Sequence, residues 1–166
     1  EAALSDIDVV IEPGERVLLC GDSGSGKSTL LAAMAGVLGS DEEGTRTGEL
    51  LLEDSSGLVE EPGHTIPVGL VLQDPDSQVI SARVGDDIAF GCENLAYPRE
   101  EIWRRVTAAK ELVGPFVDLD FPTERLSGGQ KQRLALAGVI AMGAGVVLLD
   151  EPTANLDPAG ARDVVR

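Results

Sequence analysis

A glycine-rich turn near the start of the chain restricts its fold more than any other feature. The turn, GDSGSGKS, covers Gly21–Ser28 and joins an apolar run, Val17–Cys20, to a helical pattern, Lys27–Leu38. Glycines at this spacing let successive backbone N–H groups converge on one anion at the positive end of the helix. We therefore predict a buried strand at Val17–Cys20, a phosphate-binding turn after it, and an α/β fold. The alternative is a glycine-rich turn with a chance lysine, and both flanking elements count against it.

The side chains of this turn are suited to a nucleotide. We expect Lys27 to contact the β- and γ-phosphates and Ser28 to ligate Mg²⁺. The carboxylate of Asp22 has to point away from the phosphates, because like charges repel. The predicted nucleotide-binding residues are Gly21, Asp22, Ser23, Gly24, Ser25, Gly26, Lys27, Ser28 and Thr29.

Short apolar runs alternate with helical patterns along the rest of the chain. This order is typical of βαβ units around a mostly parallel sheet. A polar loop is predicted over 39–47, and a loop or hairpin follows the next strand through residue 63. The predicted strands are Glu49–Leu52, Val68–Leu72 and Val146–Leu149, and the predicted helices are Pro98–Val113, Gly128–Met142 and Pro158–Arg166.

A second acidic feature, VVLLDE, covers Val146–Glu151. Side chains alternate between the faces of a strand, so its two carboxylates can do different jobs. At the carboxyl end of a strand, Asp150 is suited to the Mg²⁺ shell and Glu151 to polarising an attacking water. A strand that simply ends in a polar turn before Pro152 is the alternative, and the phosphate-binding turn earlier in the chain favours the active interpretation.

Composition and charge exclude several classes of protein. The 166 residues suit one domain, and a net charge of −16 disfavours sequence-independent binding to nucleic acid. The longest uncharged stretch, Leu134–Leu149, is shorter than the roughly 20 residues that span a bilayer.

The two cysteines, Cys20 and Cys92, have no ligand-like spacing, so we expect free and mostly buried thiols. His64 is expected in a surface loop.

The stretch LSGGQKQR starts the last long helical pattern and has two interpretations. Ser127 followed by Gln130 forms a capping box, which satisfies the first amides of a helix without any ligand. A serine and two glycines at a helix start can also bind a phosphate group. Because one phosphate-binding turn is already complete in the chain, the second target would be a nucleotide held by another subunit.

Five motifs in this order resemble those of ABC-type ATPases. Gly21–Ser28 resembles the Walker A loop, and Val146–Glu151 resembles Walker B. Gln73 matches the glutamine of the Q-loop, and Ala154–Asp157 resembles the D-loop, with Asp157 as its aspartate. The signature LSGGQ is formed by Leu126, Ser127, Gly128, Gly129 and Gln130.

A narrower resemblance covers residues 68–106. This stretch is similar to the ATPase subunits of energy-coupling factor importers, the cobalt/nickel and vitamin type, with their Q-N-P-D-x-Q, V-x-x-D-[IV]-A-F-G-x-E-N and P-R-E-E patterns. The chain has Gln73–Gln78 as QDPDSQ, so Asp74 replaces the usual asparagine, which is a small departure.

The resemblance implies a fold, a reaction and partners. It implies a P-loop NTPase with a mostly parallel sheet flanked by helices, a helical signature subdomain over 74–130 and a small antiparallel β part. ATP and Mg²⁺ are the implied substrate and cofactor, with Glu151 and Gln73 catalytic and Ser28, Gln73 and Asp150 at the metal. The implied partners are a second ABC ATPase subunit (identical or different), a transmembrane coupling subunit and a substrate-binding membrane subunit. The chain would then lie peripherally at the cytoplasmic face of the membrane and power micronutrient uptake.

Two features of the family are missing from the chain. Residues 1–20 contain no aromatic side chain to stack on adenine, and no switch histidine follows the D-loop. We therefore expect residues 1–166 to be one ATPase core trimmed at both ends, with weak ATP affinity and slow hydrolysis on its own.

The sequence disfavours two other classes of protein. A soluble ABC ATPase of DNA repair or translation is disfavoured by the acidic charge and, for repair types, by the lack of a sustained heptad repeat. A regulatory module that only binds nucleotide is disfavoured by intact Lys27, Gln73 and Glu151.

Overall fold

A computed structural model describes residues 4–38, 47–53, 59–60 and 66–152 of the chain. The predictions for His64, Ala154–Asp157, Pro158–Arg166 and most of the loop 39–47 therefore lie outside the described residues. The described elements are α1 (Lys27–Met34), β1 (Leu52–Glu53), β2 (Val59–Glu60), β3 (Val68–Val71), a 3₁₀ turn (Asp76–Gln78), α2 (Val84–Asn94), α3 (Arg99–Lys110), a second 3₁₀ turn (Thr123–Arg125), α4 (Gly128–Met142) and β4 (Val146–Leu149).

Three helices, α2, α3 and α4, form the hydrophobic core of the described chain. Each contributes an apolar stripe at helical spacing, and the stripes exclude water where they meet. The most deeply buried large side chains of this core are Val84, Ile88, Cys92, Val106, Val113 and Leu134. The helical part expected between residues 74 and 130 thus packs directly on the helix that follows the LSGGQ stretch.

The parallel sheet of the described residues consists of β3 and β4. Their register pairs Val68 with Val146 and Val71 with Leu149. Helix α4 covers this pair closely, because an added Cβ at Gly69 would lie 2.2 Å from a methyl group of Val139. The parallel pairing and its helical cover confirm the α/β expectation.

The predicted bounds of α4 and β4 are confirmed, but several other elements are shorter in the structure than the sequence predicted. Helix α1 ends at Met34 rather than Leu38, since Gly36 turns to φ +73° and its amide bonds back to the helix. Helix α3 runs from Arg99 to Lys110 rather than from Pro98 to Val113, and β3 ends at Val71 rather than Leu72.

The first two predicted strands differ most from the structure. A strand was predicted at Glu49–Leu52, but only β1 finds a partner, and it pairs antiparallel with β2 as a short hairpin. The prediction of a buried strand at Val17–Cys20 was wrong. This segment pairs with no strand among the described residues, and Val17 and Leu18 are 57 % and 86 % exposed. A strand needs both a hydrogen-bonding neighbour and a covered face to be buried, and the described chain supplies neither there.

Both cysteines are free thiols, as predicted, but only Cys92 is buried. Cys20 is exposed because it ends the unpaired segment, which corrects the expectation for that residue. Burial raises the pKa of the Cys92 thiol, because the thiolate would lose its hydration. None of the helices in the described residues is long and apolar enough to cross a bilayer.

Candidate functional site

The phosphate-binding turn folds around its own lysine. The ammonium of Lys27 donates hydrogen bonds to the carbonyl oxygens of Gly21 and Asp22, each over 2.9 Å. Gly24 and Gly26 take left-handed φ values of +79° and +90°, which side chains rarely adopt. A Cβ at Gly21 would lie 2.7 Å from the hydroxyl of Ser25. Gly24 and Gly26 are therefore required by the shape of the turn, as the sequence indicated.

The start of α1 has amides available for an anion. Its N-cap is Gly26, which has no side chain to cap the first turn. The first amides of a helix lack partners within the helix and carry the positive end of its dipole. Ser28 is exposed at this point, one residue after Lys27. This arrangement is the one that a phosphate group requires.

The parallel register of the sheet brings Gln73 and Glu151 together. Val71 pairs with Leu149, so the two residues that follow each strand by the same distance meet at the same edge. Gln73 donates from Nε2 to Oε2 of Glu151 over 3.1 Å. The predicted catalytic pair is thus in direct contact, although 78 positions separate its members.

The two acidic residues after β4 have different surroundings, as the strand pattern predicted. Asp150 is only 8 % exposed, and its amide extends the ladder by donating to the carbonyl of Val71 over 2.8 Å. Glu151 is exposed and has a φ of +46°, which is uncommon for a residue with a side chain. Such backbone strain persists where the surroundings impose it, and the carboxylate of this strained residue is the one that accepts the bond from Gln73.

The phosphate-binding turn and the acidic residues are not joined in the structure. Among the described residues, no hydrogen bond links 21–28 to Asp150 or Glu151, and α1 has no buried residue. The segment that leads into the turn is the unpaired stretch 17–20, so strand pairing does not hold the turn beside β4. The structure therefore shows two separate parts of the predicted site.

The donor set at these two parts fits Mg²⁺ chemically. The hydroxyl of Ser28, the amide oxygen of Gln73 and the carboxylate of Asp150 are all hard oxygen donors, which this ion prefers. No cluster of three or more His, Cys, Asp and Glu side chains that could hold a metal occurs in the described ranges. Mg²⁺ commonly binds through one or two protein groups together with phosphate and water. A site that holds this ion together with a nucleotide therefore needs few protein ligands.

The capping box at the LSGGQ stretch is confirmed. The hydroxyl of Ser127 accepts from the amide of Gln130 over 3.3 Å, and the Gln130 side chain accepts from the amide of Ser127 over 2.9 Å. Leu126 anchors this start in the core at 5 % exposure, whereas Ser127 and Gly128 are exposed. A cap does not exclude a ligand, because the hydroxyl faces solvent at a helix start.

Residues that the sequence did not single out tie the Gln73 segment to α4. Lys131 forms an ion pair with Asp76, and Gln132 donates to the carbonyl of Leu72 over 3.4 Å. Asp74 accepts the amide of Asp76 over 3.1 Å, a bond that an asparagine side chain could also accept, so its replacement of asparagine is structurally small. The opposite charges of Lys131 and Asp76 were visible in the sequence, but not their proximity.

Comparison with known proteins identifies the family. Residues 4–154 match the family model described as ABC transporter. The match covers most of the chain, so the chain belongs to the ABC transporter family.

The curated relatives point to one group within the ABC transporter family. An energy-coupling factor transporter ATP-binding protein of Caldanaerobacter subterraneus subsp. tengcongensis is 43 % identical over 162 residues, which are 98 % of this chain and 57 % of the relative. An energy-coupling factor transporter ATP-binding protein of Methanocaldococcus jannaschii is 42 % identical over 171 residues, covering 99 % of this chain and 58 % of the relative. The chain thus spans little more than half the length of these relatives.

Solved structures give the same fold. A structure of cbiO1 from Clostridium perfringens, part of the ABC transporter complex cbiONQ, is 38 % identical with a TM-score of 0.62 and covers 87 % of this chain and 57 % of its own. An ATP-binding cassette in a dimeric post-hydrolysis state with ADP and Pi has a TM-score of 0.73 at 22 % identity, over 98 % of this chain and 71 % of its own. These neighbours confirm the P-loop NTPase fold.

Proposed function

We propose that the chain is the ATP-binding and ATP-hydrolysing motor part of an energy-coupling factor type ABC importer that takes up a vitamin or a metal ion. The contact between Gln73 and Glu151 carries this proposal, because it unites the two predicted catalytic residues at the edge of a parallel sheet. The names of the curated relatives favour a transporter over the non-transport alternative of DNA repair or translation.

The chemistry assigned to this chain is in-line attack of water on the γ-phosphate of ATP. The turn 21–28 binds the phosphates through its amides and the ammonium of Lys27. Glu151 orients and polarises the water, and Gln73 holds that carboxylate in place. Ser28 and Asp150, with Gln73 nearby, would hold Mg²⁺, which would supply positive charge beside the phosphates.

The site is proposed to be completed by a second subunit. The chain has one phosphate-binding turn and one LSGGQ helix start, which are two halves of different sites. Ser127 and the amide of Gly129 would contact the γ-phosphate of ATP held by the other subunit, which is identical or different. ATP then acts as an electrostatic link between the two subunits, and hydrolysis releases them.

The proposed organisation is one ATPase core over 1–166 with a helical part at 74–130. This helical part is proposed to receive a transmembrane coupling subunit, which works with a substrate-binding membrane subunit at the cytoplasmic face. An open depression of about 410 Å³ lies on the surface of this helical part and is lined in part by Tyr97 and Trp103. The family resemblance over 68–106 supports this assignment, and nucleic acid is not a proposed partner.

Replacement of Glu151 by glutamine tests this proposal. In the full-length protein, Glu151→Gln should bind Mg-ATP, form a stable dimer and hydrolyse ATP at least about a hundredfold more slowly, because the amide cannot accept a proton. Dimerisation is measured by size-exclusion chromatography with light scattering, and bound nucleotide by extraction.

A matched control is Glu111→Gln, which removes a carboxylate that is 70 % exposed at the end of α3. This variant should behave as the wild type in both measurements. Unchanged hydrolysis or unchanged dimerisation of Glu151→Gln would reject the assigned role. Co-purification with ribosomes or DNA, rather than with membrane subunits, would reject the transport assignment.

A further inference from the structure

Two side chains of α4 hold the chain on both sides of Gln73. The ammonium of Lys131 pairs with the carboxylate of Asp76, which opens the first 3₁₀ turn. Gln132, only 2 % exposed, donates to the carbonyl of Leu72 over 3.4 Å. Leu72 precedes Gln73 directly, and Asp76 follows it by three positions. Helix α4 is therefore attached before and after the residue that contacts Glu151.

The segment that carries Gln73 is also closed on itself. The side chain of Gln78 accepts from the amide of Leu72 over 2.7 Å and donates to the carbonyl of Leu70 over 2.9 Å. The carboxylate of Asp74 accepts the amide of Asp76 over 3.1 Å. With both ends bonded to each other, residues 72–78 form one unit. We therefore expect a displacement of Asp76 to displace Gln73 as well.

The other end of this attachment lies one helical turn from Ser127. The amide of Lys131 donates to the carbonyl of Ser127 over 2.9 Å, a backbone bond that closes the first turn of α4. The Lys131 side chain is 17 % exposed and Asp76 is 67 % exposed, so the lysine is the member held by packing. Partly exposed ion pairs contribute little to global stability. Loss of this ion pair should thus displace Gln73 and change the free energy of unfolding only slightly.

We propose that Lys131 is a positioning residue that couples the two half-sites of one subunit. Through Asp76 it links Gln73, beside this subunit's own Glu151, to Ser127, which faces the ATP of the other subunit. The inference rests on the proposed function. Its consequence is that the glutamine and the serine move together as the dimer closes, so both sites become competent in the same step.

The test compares Lys131→Met with Lys110→Met in the full-length protein assembled with its membrane subunits. Lys110 is a matched control, because its side chain is also 17 % exposed and pairs with one exposed carboxylate, Glu111, over 3.3 Å at the end of α3. We expect kcat for ATP hydrolysis to fall about 3–20-fold in Lys131→Met, since residues along a coupling path change coupling by that much. KM for ATP and Tm should match those of Lys110→Met.

Charge reversal separates positioning from simple loss of structure. Asp76→Lys combined with Lys131→Asp restores an attractive pair and should recover most of the lost kcat. If Lys131→Met fails to fold, Asp76→Asn removes the same ion pair from the exposed side and should show the same loss of kcat.

The outcomes distinguish this inference from the function on which it rests. Wild-type turnover in Lys131→Met, or no recovery on charge reversal, overturns the coupling but leaves the motor assignment intact. A wild-type complex that binds ATP without hydrolysing it overturns both.

Discussion

Replacement of Ser127 distinguishes a helix cap from a phosphate ligand, and the structure sets the size of the effect. The bond from the amide of Gln130 to the Ser127 hydroxyl is 3.3 Å long, whereas the reciprocal bond is 2.9 Å. N–H···O bonds usually measure about 2.7–3.2 Å, so the hydroxyl makes the weaker half of the box. Ser127→Ala removes only that half and should destabilise the protein by about 0.5–1 kcal/mol. For a chain of this length, Tm falls by about 1–4 °C.

Asparagine at the same position separates the two roles. Ser127→Asn keeps an oxygen that can cap α4, so Tm should stay within about 1 °C of the wild type. The hydroxyl proposed to reach the γ-phosphate is nevertheless lost in both variants. Because a hydrogen bond to a charged group contributes about 1.5–3 kcal/mol, kcat/KM for ATP should fall about tenfold to a hundredfold in each. Ser127→Arg should block hydrolysis and leave ATP binding at Lys27 intact.

The assay combines thermal unfolding followed by circular dichroism, steady-state ATP hydrolysis and binding of a fluorescent ATP analogue. Thr107→Ala is the control, because it removes a hydroxyl that bonds the carbonyl of Trp103 within α3, over 2.7 Å. Normal hydrolysis by Ser127→Asn would show that the serine is only a cap. Loss of both binding and hydrolysis in Ser127→Arg would refute the two-site argument in the same way.

Two further predictions concern packing and pH. Gly69→Ala places a Cβ 2.2 Å from a methyl of Val139 and should lower the free energy of unfolding in urea by about 1–3 kcal/mol. Adding Val139→Ala to this variant should restore part of the lost stability. As a control, Gly138→Ala has open space at its new Cβ and should not destabilise the protein. Hydrogen bonds from two arginines, first Arg104, lower the pKa of Glu101 from 4.5 to about 2. Its folded-state pKa is thus depressed, so its stabilisation is complete above about pH 4.5 and is lost as pH falls toward 2. Urea titrations of Glu101→Gln should therefore differ from the wild type at pH 6 and converge with it near pH 2, and a constant difference would contradict the ion pair.

Elements whose ends are specified by neighbouring residues were predicted well. Helix α4 begins after the Ser127 cap and ends at Met142, because Gly143 follows with a φ of +75°, and its predicted bounds are confirmed. The run of four apolar residues in β4 was equally clear. In each case the signal lies within a few positions of the boundary, so no knowledge of distant residues is needed.

Elements that depend on distant partners were predicted less well. The apolar run Val17–Cys20 has the composition of a buried strand, yet composition does not provide a neighbour, and the segment is unpaired in the described chain. Helix α2, Val84–Asn94, was not delimited from the sequence, although its core stripe is evident once α3 and α4 pack against it. Periodicity indicates that a surface can be buried; packing decides whether it is.

The sequence by itself determined the chemical groups of this protein: the phosphate-binding turn, the carboxylates after β4 and the LSGGQ helix start are local patterns with local physical causes. Only the tertiary structure decided which of them meet. Gln73 contacts Glu151 across 78 positions, and Lys131 reaches Asp76 across 55. The reason is that strand register and helix packing minimise exposed apolar surface over the whole chain, so the pairing of distant residues depends on all the elements between them.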